Sequence, residues 1–110
     1  MADKRTVQSV RDMSKEDLTA CVRALARDDL NVVFEKFHAL QRMSERRITR
    51  QEVLATLRNG TINTPPRPGD YVDEVTCRME HPVDGREIAA VVAISNSEDD
   101  LIVITVIDIT

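Results

Sequence analysis

The chain has 110 residues, the size of one domain, and 42% of them are apolar, enough to build one buried core. Trp is absent and aromatics are only 3%, so Leu, Ile and Val must fill that core; Phe34 and Phe37 sit within apolar pattern, which argues against exposed rings stacking on nucleobases. The net charge is −4, and neither an apolar run of about 18 residues nor a charged-then-apolar leader is present, so the reading excludes a membrane span and expects a soluble cytoplasmic domain over residues 1–110.

The total charge conceals a division. Residues 1–60 carry twelve Lys/Arg and nine Asp/Glu, a balance of +3, whereas residues 61–110 carry three Arg and ten Asp/Glu, a balance of −7. Fields are set by nearby charge and screened beyond roughly 8–10 Å, so the basic half is either a local phosphate-binding surface or ordinary solvated helix. Cys21 and Cys77 form no CxxC or Cys/His cluster and are expected as reduced core thiols, with no metal or cofactor.

Met1 to Gln8 show no apolar period, and a loose arm is expected to about residue 13. Ser14 then reads as an N-cap, with Asp17 three residues on and Leu18, Val22, Leu25 and Ala26 at helical spacing, which predicts a helical extension within residues 14–29. Asp28-Asp29 ends it, because carboxylates oppose the dipole at a helix C-terminus. Leu30 to Phe34 reads as a short strand, and a second helix is expected to start near Glu35 or Lys36.

That second helix carries the chemistry. At about 100° per residue, Phe37, Ala39, Leu40 and Met43 form a broad apolar face, while His38, Arg42 and Arg46 form a separate stripe at i, i+4, i+8. Thr49 with Glu52 is a capping box opening a third helix, with Val53, Leu54 and Leu57 on its buried side and Asn59-Gly60 as its C-cap.

Past Gly60 the period changes. Thr64 to Gly69, with three prolines, predicts a stiff surface loop, and His81-Pro82 a second one. Val75, Cys77 and Met79 alternate with polar residues as a strand, Asp84-Gly85 is a turn signal, and Arg86 to Ile94 and Leu101 to Ile109 are β-branched runs joined by an acidic loop from Ser95 to Asp100. The expected fold is α+β, with N-terminal helices packed on an antiparallel meander of three or four strands.

The segment Phe37-His38-Ala39-Leu40-Gln41-Arg42-Met43-Ser44-Glu45-Arg46-Arg47-Ile48-Thr49 resembles the signature of a bacterial and phage domain-of-unknown-function family: His-Ala-x-x-Arg-Met-x-x-Arg, a small residue, then Ile-[Ser/Thr]. Glu52-Val53, Leu57 to Gly60, Asp84-Gly85-Arg86 and Ile104-Thr105-Val106 follow in the family's order, so the similarity spans about residues 32–109. Arg47 departs from it, standing where the family commonly has Gly, and the N-terminal helix lies outside it. The resemblance implies a RelE/barnase-like toxin fold, which cleaves RNA without metal, and it implies His38, Arg42, Arg46, Arg86 and Thr105 as site residues.

RNA transesterification needs a base for the 2′-hydroxyl, an acid for the leaving 5′-oxygen and positive donors on the phosphoryl oxygens. An imidazole such as that of His38 can exchange protons near neutrality, and Arg42 and Arg46 can hold phosphate as charged forks. The plainer reading makes His38 a structural residue at a strand-to-helix junction, pairs the two arginines with the acidic half, and leaves Thr105 an ordinary strand residue. A different function class also fits the charge. A small acidic phage or mobile-element inhibitor could present Glu98, Asp99 and Asp100 where phosphate should lie, and so block a nucleic-acid-binding complex. The partners expected are therefore RNA or a protein, an antitoxin or such a complex, or the target of a non-catalytic partner-binding domain.

Overall fold

The computed structural model describes residues 9–97 and 100–110. Among them are three α-helices, α1 (Lys15–Ala26), α2 (Ala39–Arg46) and α3 (Arg50–Asn59), and six strands, β1 (Val32–Phe34), β2 (Thr61–Ile62), β3 (Arg67–Pro68), β4 (Glu74–Val83), β5 (Arg86–Ser95) and β6 (Leu101–Asp108). The class is α+β, and every strand but β1 follows Gly60, as the change of period implies.

The sheet is larger than the expected meander, and it is mixed. Its order is β1-β6-β5-β4-β2, with β3 also on β4, and β1 runs parallel to β6 while the other pairings are antiparallel. The difference has a local cause: β2 and β3 are two residues each, too short to show a period. Arg67-Pro68, expected in a loop, adds to the outer side of β4, the edge position where a residue without an N–H is tolerated. His81 and Pro82 also belong to a strand, paired with Ile88 and Glu87. They lie past the reach of β2, which ends at Met79 and Glu80, so Pro82 forfeits no ladder bond on that open side.

Local signals fixed the helix starts. The Ser14 hydroxyl accepts the N–H of Asp17, and Thr49 and Glu52 close a complete capping box. The helix ends behave differently from expectation. α1 stops at Ala26, and the Asp28 carboxylate accepts the N–H of Leu30 to open a 3-10 turn, Asp29–Asn31, so the acidic pair starts the next element and trims the expected strand to Val32–Phe34. Gly60 is not left-handed: its φ is −78° and ψ 177°, ordinary extended backbone. Among the described residues the left-handed ones are Arg47 (φ 53°), which ends α2, and the Asp84-Gly85 pair (φ 51° and 81°), which makes the tight β4–β5 turn.

Arg47 thus occupies the helix-ending position that favours glycine, where the resembled family commonly has one. A side chain there costs about 1–2 kcal/mol relative to the right-handed region. After allowance for the freer unfolded chain, Arg47→Gly is expected to stabilise the protein by about 0.5–1 kcal/mol. Urea unfolding of the pair checks it, and a less stable variant would show that the guanidinium makes a compensating interaction.

The helices cover one face of the sheet. Val75, Cys77 and Met79 on β4, Ile88, Ala90, Val92 and Ile94 on β5, and Leu101, Val103 and Val106 on β6 meet Leu18, Val22, Ala39, Val53, Leu54 and Leu57 in a single core. Ala89 and Ala93 are buried too but stand outside that core, on the face without helices. α1 is tied in by reciprocal caps: Arg23 donates to the carbonyls of Asn59 and Gly60 at the end of α3 (3.1 and 2.9 Å), and Arg58 of α3 donates to that of Ala26 at the end of α1 (2.7 Å) and pairs with Asp29. The stretch before α1 is not loose from residue 9 on. Val10 is fully buried, its N–H donates to Asn96, and Arg11 donates to the carbonyls of Gly69, Tyr71 and Glu74. Residues 1–8 of the expected arm lie outside the described residues.

Candidate functional site

β1 delivers the chain to α2 through a tight turn built on Glu35. The Glu35 N–H donates to the Val103 carbonyl, so the sheet places it, and its carboxylate accepts the N–H groups of Phe37 (3.1 Å) and His38 (2.6 Å). That capture delays the helix from the expected Glu35–Lys36 to Ala39. Two backbone donors, that of His38 foremost, and then the nearby imidazole hold the Glu35 carboxyl below its usual range. The anionic seat at the helix N-terminus is therefore filled from within the chain, and a phosphate arriving here must be held by side-chain cations.

Those cations are present. Residues 36–50 carry Lys36, Arg42, Arg46, Arg47 and Arg50 against Glu45 alone. His38 is exposed, caps no helix N–H, and among the described residues makes no side-chain hydrogen bond. Arg42 is half-buried and pairs with Glu45 one turn on (2.8 Å), and that pairing leads the causes that lower the Glu45 carboxyl. Arg46 reaches across to β6 and donates to the Val106 carbonyl (2.6 Å), while Arg50 lies 4.9 Å over the Phe34 ring. Of the three residues of the stripe, His38 stands in the turn before α2, and Arg42 and Arg46 on the helix already have partners.

The expected apolar face of α2 is divided. Ala39 is fully buried and Met43 packs against the core, yet Phe37 is 76% exposed and Leu40 47%. The expectation that no ring is available for stacking is thus overturned at Phe37. At about 100° per residue the arc from Ala39 to Phe37 is roughly 160° wide, and the core takes only the side that holds Ala39 and Met43; Phe37, at the far edge and in the turn before the helix, stays in solvent.

Arg86 and Thr105 do not join the stripe. Arg86, first residue of β5, donates to the carbonyls of Arg46 and Arg47 (both 3.0 Å) and forms a fork with both Glu52 oxygens (2.9 and 2.8 Å), with Asp108 at 3.7 Å. Its guanidinium is taken up in locking the α2–α3 corner to the sheet. Glu52, only 8% exposed, is the residue of this cluster that sequence reasoning missed as a partner: it was visible as half of a capping box, but nothing local shows that the same carboxylate receives an arginine 34 positions away. Thr105 pairs with Val91 beside a bulge and alternates with buried Val106, so it stands on the face without helices.

The acidic residues gather elsewhere. Asp100 is exposed at the start of β6, whereas Arg46 meets the same strand near its end, at Val106. With Tyr71, Asp73, Glu74, Ser95 and Ser97, Asp100 lines an open hollow of about 400 Å3. Glu98 and Asp99 lie outside the described residues. Cys77 is buried and Cys21 half-buried, neither in a disulfide, and burial chiefly, helped by the nearby Cys21, pushes the Cys77 thiol up to about 12. It stays protonated and is no nucleophile at neutral pH. Among the described residues no cluster of His, Cys, Asp or Glu could hold a metal, and no helix is long and apolar enough to cross a membrane.

Fold and site together define a small α+β domain whose sheet is roofed on one face and whose basic, imidazole-bearing helix flanks the far half of β6. The chain belongs to the family described as domain of unknown function DUF4258, whose model matches residues 36–108. No curated protein and no solved structure matches it. The match begins after β1, so α1 and β1 lie outside the matched residues.

Proposed function

We propose that this domain binds RNA at its α2 end, as a relative of the small RelE/barnase-like toxin ribonucleases. The observation that carries the reading is the segregation of charge: a protein of net charge −4 presents five cations against two carboxylates, Glu35 and Glu45, over residues 35–50, around an exposed His38, with its acidic hollow at the other end of β6. Such a field steers and holds a phosphate chain on one side only. His38 is the imidazole at this end, the side chain that general acid–base catalysis uses most often, and proton transfer is what cleavage after a 2′-hydroxyl attack would ask of it. Arg42 and Arg46 supply charge to the phosphoryl oxygens through whatever donors their Glu45 and Val106 bonds leave over, since a guanidinium has five.

Anisotropy of a labelled oligoribonucleotide, titrated at several salt concentrations, tests the reading. Each phosphate held should add about −0.7 to the slope of log affinity against log salt, so three cations give roughly −2, and Arg42→Ala should reduce the slope by about 0.7. Arg46→Ala should do the same with some loss of stability, because the Val106 carbonyl loses its donor. Absence of salt-dependent binding sinks the proposal. Cleavage in excess chelator that disappears in His38→Ala, at an unchanged melting temperature, makes the protein an enzyme of that class; binding without cleavage leaves it a binding relative.

A further inference from the structure

We infer that Phe37 is a stacking platform for an unpaired base, so that the α2 end takes single-stranded RNA in preference to duplex; this rests on the RNA-binding reading above. The ring is 76% exposed in a chain whose aromatics are 3% of its residues. Its placement is built rather than frayed. The Glu35 carboxylate holds the N–H groups of Phe37 and of His38, and Glu35 is itself hydrogen-bonded to β6, so the backbone beneath the ring is fixed at both ends of the turn. At about 100° per residue Phe37 stands roughly 120–160° around the helix axis from Met43 and Ala39, so even a continued helix would leave the ring away from the core. Leu40, 47% exposed on the next turn, widens the apolar shelf.

What surrounds the shelf decides its occupant. Lys36 and His38 flank the ring in the chain, the Glu35 carboxylate is taken up by the two N–H groups beneath it, and Arg42, paired with Glu45, and Arg46 follow on α2. An apolar ring set among cations fits a base whose own phosphates lie within reach of those cations, and bases offer a free face only where the strand is unpaired. Tyr71 provides the contrast. It is 70% exposed, but it lines the hollow with Asp73, Glu74 and Asp100, whose carboxylates repel a phosphate chain. Exposure alone therefore does not make a platform here, and of the two rings Phe37 is the one with the matching field.

The test compares a labelled uridine-rich 12-nucleotide single strand with a 12-base-pair RNA duplex at one salt concentration, using the whole chain. Wild type is expected to favour the single strand by about tenfold or more. Phe37→Ala should weaken single-strand binding by about 5- to 150-fold, the range that one stacked base gives, with the salt slope and the duplex affinity unchanged. Phe37→Trp should keep the preference. Melting temperatures of both variants should stay close to wild type, since the ring is not part of the core. Single-strand affinity that survives Phe37→Ala overturns the inference while leaving RNA binding intact, and so does an equal loss on single strand and duplex. A dimer in sedimentation that Phe37→Ala converts to monomer overturns it too, by assigning the ring to a second copy. If wild type binds neither RNA, the reading beneath it fails as well.

Discussion

Gly60→Ala should lower stability by about 3 kcal/mol or more, although the backbone there would suit any residue. A Cβ at Gly60 would stand 2.4 Å from the Thr56 carbonyl oxygen and 2.8 Å from that of Glu80. Both are main-chain atoms, one in the last turn of α3 and one in β4, so no rotamer change relieves the clash. Relief requires moving the helix end away from the strand, and that would stretch two bonds that fix the junction, Gly60 N–H to Thr56 (2.8 Å) and Arg23 to the Gly60 carbonyl (2.9 Å). The control is Gly85→Ala. Its φ of 81° strains an alanine, but a Cβ there meets nothing within 4 Å, and a loss nearer 1 kcal/mol is expected. Urea unfolding of both variants ranks them. A Gly60→Ala protein as stable as the Gly85 variant would mean that α3 slides freely on β4, contrary to the packing described.

The Glu52 fork should show the second large effect, with a pH signature. Glu52→Ala removes the acceptor of the Thr49 N–H and the partner of Arg86, whose other bonds hold the ends of α2, and about 3 kcal/mol of stability should go with it. The sign of the pH dependence follows from the carboxyl's downward shift from its ordinary 4.5, caused first by the Thr49 N–H and then by Arg86. A carboxyl lowered in the folded state stabilises fully above its unfolded value. The contribution is lost as pH falls from about 4.5 through the folded value. Asp108, lowered mainly by the Thr110 hydroxyl and N–H, is lost in the same direction. Urea midpoints from about pH 3 to pH 7 should therefore fall on the acid side, and Glu52→Gln should flatten that fall by up to one proton's worth of slope. An acid limb identical in wild type and Glu52→Gln would remove the fork from the account.

Much of this molecule follows from near neighbours in the chain. The Ser14 and Thr49–Glu52 caps, the Asp84-Gly85 turn and the alternation of Val75, Cys77 and Met79 each depend on atoms within a few residues, so the sequence by itself determined helices first, strands after Gly60 and an α+β class. The i, i+4, i+8 spacing of His38, Arg42 and Arg46 was legible for the same reason, although the helix begins only after His38 and Arg46 turns to β6. Tertiary structure decided the rest. β1 pairs in parallel with a strand some 70 positions later, a choice that no local period encodes. Gly60 is demanded by the nearness of β4 rather than by its own dihedrals, and Arg86 is drawn from the candidate site into the α2–α3 corner because Glu52 and two helix-end carbonyls converge on it. Phe37 shows the limit most sharply: the apolar arc that runs from Phe37 to Ala39 is wider than the side that packs, the core takes Ala39 and Met43, and the ring at the arc's far edge is left in solvent.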